Sequence, residues 1–176
     1  MSLILGIDPG SQKTGFGIIS HHSGRSEYVT SGVIRLPRAG LPERLKIIHD
    51  SVCQIVTEYS PQELAIEEVF LARDAKAAIK LGQARGAAIV ACVNHEMPVF
   101  EYAAKAIKLA VVGTGSADKA QVQHMVKSLL KLPAAPAEDA ADALAAALCH
   151  AHTQQALVRR ARSMRTRTRT RVVKGQ

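Results

Sequence analysis

Four carboxylates in this chain stand where packing alone does not explain an acid. Asp8 closes an apolar run that begins at Leu3, and Glu67 follows the apolar Leu64-Ala65-Ile66. Asp139 and Asp142 lie three residues apart in a segment made almost entirely of Ala and Leu, a spacing that puts both on one helix face. Acids at the ends of buried strands are costly unless something pairs with them. Two carboxylates ~4 Å apart repel by about 4 kcal/mol at an effective dielectric of 20. No basic residue adjoins any of the four in sequence. A divalent cation would resolve the conflict, and oxygen ligands without His or Cys favour magnesium or manganese. Plainer accounts exist for each acid taken singly. Asp8, before Pro9-Gly10, suits a turn, Asp139 suits the first turn of a helix, and Glu67 could pair with a distant Arg. Asp142, deeper in its helix, has less of that excuse. The joint pattern points to metal-assisted chemistry.

The elements that must position these acids are readable in outline. Leu3–Asp8, Phe16–Ser20 and Tyr28–Leu36 are strand candidates forming an antiparallel meander, with Gly10, Gly15, Gly17, Gly24 and Gly32 expected at tight turns or bulges. Leu41–Tyr59 has helical period, with Leu41, Leu45, Ile48, Val52, Ile55 and Val56 on one face and Pro61 as its stop. Leu64–Val69 reads as a buried strand, Asp74–Glu96 as a long Ala- and Gly-rich helix, Pro98–Tyr102 as a strand and Ala103–Val111 as a short helix. Ser116 is a candidate N-cap for a helix over Ala117–Leu130, and after the break at Pro133–Pro136 an Ala-rich helix runs from Ala137 to about Ala156. The order predicts an α/β fold: a mixed five-stranded sheet covered by helices. Residues 1–156 form the folded domain in this reading, and 157–176 form an Arg/Thr-rich tail expected to be disordered.

The net charge of +8 is a property of that tail. Eight of the 23 Lys and Arg lie from Arg159 onward with no acid among them, which leaves fifteen of each sign before it. The inference from a basic pI to nucleic acid is weakened accordingly. The body is still polarised, since residues 69–137 hold nine basic and four acidic residues. Cys53, Cys92 and Cys149 are dispersed without metal-ligand spacing and read as small apolar residues rather than a disulfide framework. No apolar run approaches the ~18 residues of a membrane span, and the N-terminus reads as a strand rather than an export signal, so a cytoplasmic location is expected.

Six segments, in order over roughly residues 1–154, resemble the RuvC-type Holliday junction resolvases. They are Gly6-Ile7-Asp8-Pro9-Gly10-Ser11 continuing to Thr14-Gly15, Ala65-Ile66-Glu67-Glu68-Val69-Phe70, Leu81-Gly82-Gln83-Ala84-Arg85-Gly86, Pro98-Val99-Phe100-Glu101-Tyr102, Val112-Gly113-Thr114-Gly115-Ser116, and Asp139-Ala140-Ala141-Asp142-Ala143-Leu144. The resemblance implies an RNase H-like fold, a homodimer, and a magnesium-dependent endonuclease that nicks two opposed strands of four-way junction DNA in recombination and repair. It places the catalytic, metal-binding acids on Asp8, Glu67, Asp139 and Asp142. It matches Phe70 to an aromatic that stacks on DNA bases, and Lys108 and Lys119 to basic residues near the scissile phosphate. It puts the dimer contact on the helix spanning about 74–96 and suggests association with the RuvA and RuvB branch-migration proteins. The expected chemistry uses two magnesium ions per site, ~3.5–4 Å apart with Asp8 bridging, manganese substituting, and leaves 5′-phosphate and 3′-hydroxyl ends.

Outside the acids the residues admit two readings each. Phe70, one of three phenylalanines, could be core or a stacking platform at the strand exit. Lys119 could be a solvated helix lysine or a charge beside the reacting phosphate. Arg73, Lys76 and Lys80 form a stripe at i, i+3 and i+7 that could track a DNA backbone or form the wet side of a dimer helix. Ala78, Gly82, Gly86 and Ala87 lower the bulk of that helix for packing across a dimer or within one subunit. His150 and His152 face different ways and read as core or surface residues, not ligands. The tail could bind polyanions or only solubilise. Three other classes compete with this reading. An actin-like ATPase needs a second such domain, for which the chain is too short. An RNase H-like RNA-processing nuclease is the nearer alternative, and a non-catalytic junction-binding protein would not need the intact acids.

Overall fold

A computed structural model of the chain describes residues 1–69 and 74–173. The strands are β1 (Ser2–Asp8), β2 (Lys13–His22), β3 (Arg25–Arg35), β4 (Glu63–Glu67) and β5 (Val99–Tyr102), and the helices α1 (Leu41–Tyr59), α2 (Ala75–Val93), α3 (Ala104–Val112), α4 (Lys119–Leu129) and α5 (Glu138–Val173). The five strands form the expected mixed sheet in the order β3-β2-β1-β4-β5. β1, β2 and β3 pair antiparallel as hairpins, while β4 and β5 join β1 in parallel through the crossovers that contain α1 and α2.

Strand alternation divides the core in two. Leu5, Ile7, Leu64 and Ile66 point to one face, where α1 covers them with Ile48, Val52, Ile55 and Val56 and α2 with Ala84, Ala88, Ala91 and Cys92. Ile4 and Ala65 point to the other, under Ile107, Val111, Val122, Val126, Leu144 and Leu148 of α3, α4 and α5. Because successive side chains change face, Gly6 and Asp8 follow Ile4 toward α5, and Glu67 follows Ala65. The register that sets Ile7 against Ile66 leaves Asp8 and Glu67 as the next residue on each of two adjacent strands.

Glycine lets α5 settle directly on the sheet. Gly17 is paired with Gly6, and Gly15 with Asp8, across β1 and β2. A Cβ at Gly6 would lie 1.9 Å from the Ala143 carbonyl oxygen, and one at Gly15 would lie 1.9 Å from that of Asp139. Side chains at these positions would lift the helix off the strands. Gly15 and Gly17 therefore make a flat floor rather than the turns or bulges expected of them, and the irregularity in β2–β3 falls at Ile18/Ile19. With the sheet below and α3 and α4 above, nearly every residue from Ala140 to Cys149 is buried, which is why this helix is rich in Ala.

Two helix ends differ from expectation. α4 begins at Lys119 with Asp118, not Ser116, as its N-cap. Asp118 accepts from the Gln121 amide while the Gln121 side chain accepts from the Asp118 amide, a reciprocal capping box that Ser116 cannot form. α5 runs on to Val173, past the end expected near Ala156, because neither proline nor glycine interrupts it before Gly175.

Candidate active site

Asp8, Glu67 and Asp142 line one cleft of about 270 Å³, together with Lys108 and Lys119. Asp8 and Glu67 arrive on the C-terminal ends of parallel strands, and Asp142 one helical turn along α5 from Asp139, whose carbonyl rests over Gly15. Burial is the largest influence on Asp8, and the charges of Asp142, Glu67 and Asp139 add to it, so that its pKa is pushed up to about 7. Glu67 is raised by burial and then by Asp142, with Lys108 and Lys119 opposing. Asp142 is raised chiefly by burial, against the pull of Lys119. Asp139 does not line the cleft but lies close enough for its charge to act on Asp8 and Asp142. Three acids with pKa values raised together in one cleft form a site short of positive charge.

The oxygen-only donors and their mutual repulsion fit a hard divalent cation. Among the described residues, no three His, Cys, Asp or Glu close around one metal-sized point. Of the two lysines that line the cleft, Lys119 has its ammonium 3.6 Å from Asp142 Oδ2 and ion-paired with Glu138. Glu138 had no signal of its own in the sequence, since an acid beginning a helix is ordinary.

Two further residues hold the acids in place. Thr14 is fully buried, and its hydroxyl donates to the Gly10 carbonyl at 3.2 Å, closing the loop that leaves Asp8. Arg85 of α2 donates from Nε to the Glu67 carbonyl oxygen at 3.0 Å and pairs with Glu101, pinning the end of β4. Both lie within the segments quoted above, but nothing in their local spacing reveals the contact. His150 is fully buried, with Nδ1 at 2.6 Å from the Tyr102 hydroxyl and Nε2 at 3.0 Å from Glu63 Oε2, so it is a core residue. Cys92 and Cys149 are buried and Cys53 is half-buried, all as free thiols. Lys76 and Lys80 lie on the first turns of α2 and do not line the cleft. Phe70 and Arg73 lie outside the described residues.

An RNase H-like sheet carrying an acidic cleft at its strand ends defines a class: the metal-dependent nucleases of this fold. The family model for "Crossover junction endodeoxyribonuclease RuvC" matches residues 4–150. The crossover junction endodeoxyribonuclease RuvC of Teredinibacter turnerae is 60% identical over 172 residues, covering 95% of this chain and 97% of that one. The RuvC of Vibrio vulnificus is 59% identical over 158 residues, covering 90% and 91%. Among solved structures, Thermus thermophilus RuvC in complex with Holliday junction substrate superposes with a TM-score of 0.82 at 34% identity, covering 88% of this chain and 95% of that one. The yeast mitochondrial Holliday junction resolvase Ydc2 shares the fold, with a TM-score of 0.62 at 9% identity over 86% of this chain and 80% of that one. The chain belongs to the RuvC family of crossover junction endodeoxyribonucleases.

Proposed function

We propose that the Asp8 cleft is the centre at which this crossover junction endodeoxyribonuclease hydrolyses the backbone of four-way junction DNA, nicking two opposed strands symmetrically. The observation that carries this is the convergence of Asp8, Glu67 and Asp142 on one cleft with Lys108 and Lys119, in a chain of this family. Asp8, Glu67, Asp139 and Asp142 would hold two magnesium ions, with manganese able to substitute. Bound there, the ions would supply an activated water and charge stabilisation for the leaving 3′ oxygen. Lys108 and Lys119 bring positive charge to the same cleft and orient the phosphate. Lys119 must exchange Glu138 for that phosphate as DNA enters. Cleavage is expected to leave 5′-phosphate and 3′-hydroxyl ends, with Phe70 proposed to stack on bases near the cut and Arg73, Lys76 and Lys80 proposed to contact the DNA backbone. The test is incubation with a synthetic mobile four-way junction. Paired nicks with magnesium and none with chelator are expected, and cutting that persists in chelator would refute the metal assignment.

Two cuts call for two sites. Support for a homodimer comes from α2, where Ile79, Val90 and Val93 are exposed apolar residues, and Gly82 and Gly86 between them have open space over their Cα atoms. Such a stripe suits close helix packing across a two-fold axis. Val90→Asp is expected to sediment as a monomer, and an unchanged dimer would place the contact elsewhere. Family membership supports association with RuvA and RuvB and action in the cytoplasm. No described helix is long and apolar enough to cross a membrane.

A further inference from the structure

The loop that leaves Asp8 has a second side of opposite charge. A groove of about 700 Å³ is lined by Lys13, Arg35, Arg38 and Arg44, together with Gln12 and the short segment Leu36–Pro37. No acid lines it. Lys13 and Arg35 are direct cross-strand partners at the ends of β2 and β3, an arrangement in which like charges destabilise the pair. Arg38 is exposed just beyond β3. Arg44, near the start of α1, donates from Nη1 to the Ser11 carbonyl at 2.7 Å, and its Nε is buried without a hydrogen-bond partner. No described carboxylate is ion-paired with any of the four. Glu43, the acid in the first turn of α1, does not line the groove. Guanidinium groups cannot shed their charge, so an anion seated among these side chains would be held by all of them.

The location narrows the anion. The groove and the acidic cleft flank the four-residue connection between Asp8 and Lys13, with Ser11 held by Arg44 on one side and Gly10 held by Thr14 on the other. A polyanion that leaves the cleft across this connection would meet these side chains. We propose that this groove is a second phosphate-binding subsite, in which Lys13, Arg35 and Arg38 hold the backbone of the DNA arm that exits the Asp8 cleft. The assignment rests on the Asp8 cleft being the cutting site.

The test is equilibrium binding of a synthetic four-way junction to the full chain in chelator, over a range of salt concentrations. Arg35→Ala/Arg38→Ala is expected to raise Kd about tenfold near physiological salt and to make the slope of log K against log salt shallower by about two. Lys13→Ala, at an exposed strand end, is expected to make it shallower by about one. Circular dichroism and melting establish folding, and should the double variant fail to fold, Lys13→Ala decides alone. Wild-type affinity and slope in the folded variants would overturn the subsite, including in favour of an acidic protein as the groove's occupant. Wild-type protein that binds junctions but does not nick them with magnesium would instead sink the reading of the cleft.

Discussion

Two clusters of like charge flank the loop between Asp8 and Thr14, and they bear the crowding differently. The acids sit half-buried where β1, β4 and α5 meet, and burial and mutual repulsion push Asp8 to about 7. Around the groove, Lys13, Arg35 and Arg38 are exposed to water. The acids can relieve their conflict by taking up a proton, while the guanidinium groups keep their charge and are screened by water until an anion meets them. A half-buried, proton-hungry cluster suits bound cations and chemistry, and an exposed permanent one suits tracking a backbone. The same loop adjoins both, so the two proposed functions should be separable by substitution.

The largest separation is expected from Asp8→Asn. Metal-derived stabilisation amounts to several kcal/mol of transition-state energy, so junction cutting should fall by about three powers of ten or more. Junction affinity in chelator should stay within about threefold of wild type, the reverse of the pattern at Arg35 and Arg38. Quantitative nicking and gel-shift titration on one preparation check this. Parallel loss of both would mean that the acids are structural and the contrast between the two clusters is false.

Next in size is the floor beneath α5. Gly6→Ala places a Cβ where the Ala143 carbonyl now lies, and overpacking of this kind costs about 1–3 kcal/mol. Chemical denaturation should show that loss. Cutting should fall further than stability alone explains, because Asp139 and Asp142 ride on the displaced helix. The basic groove stands on β2, β3 and the start of α1, so the salt slope of junction binding should not change.

A smaller effect is expected at Arg85. It is a positioning residue, because it touches the Glu67 carbonyl and Glu101 and not the cleft. Loss of such support typically costs about 10–100-fold in metal affinity or activity. Arg85→Met should therefore raise the magnesium concentration needed for half-maximal cutting, by about tenfold, and Arg85→Lys should recover part of it. A lowered maximal rate at unchanged magnesium demand would indicate a general packing defect instead.

How far the sequence foretold this arrangement depends on which residues touched which neighbours. The sheet, its mixed character and the α1 face were legible because period 2 and period 3.6 are local patterns that the core rewards directly. Asp8, Glu67 and Asp142 were legible as acids out of place. Glu138, Arg85 and Thr14 were not, because each acts through a contact between distant segments and is unremarkable among its own neighbours. The role of Gly15 and Gly17 is not legible, since a glycine that admits a helix looks the same in sequence as one that turns a chain. The basic groove is not legible in the sequence for a related reason: Lys13, Arg35, Arg38 and Arg44 are scattered through the first 44 residues, and only the β2–β3 register and the fold of α1 bring them together.

The smallest expected effect is also the one that distinguishes the two kinds of charge most directly. Folding raises Asp8 from an ordinary 3.8 to about 7, and Glu67 and Asp142 shift in the same direction. Below about pH 4 the Asp8 carboxyl is protonated in both folded and unfolded chains. As pH rises from about 4 to 7, the unfolded chain gives up the proton while the folded one keeps it, so stability falls across that window. The carboxyls held low, Asp50 and Glu138, are fully exposed surface pairs and count for little, and His21, held below its ordinary value by burial on β2, opposes Asp8 in this window only weakly because it is only partly buried. In chelator the wild-type protein should therefore melt at a lower temperature at pH 7.5 than at pH 5, and Asp8→Asn should flatten the difference. Magnesium at about ten times its Kd should restore about 1.4 kcal/mol to the wild type near pH 7.5 and little to Asp8→Asn. Arg35→Ala/Arg38→Ala should leave the whole profile in place, because guanidinium groups do not titrate in this range. An Asp8→Asn protein that kept the wild-type slope would show that the acids are not crowded in solution, and the case for a cation in the cleft would lose its physical basis.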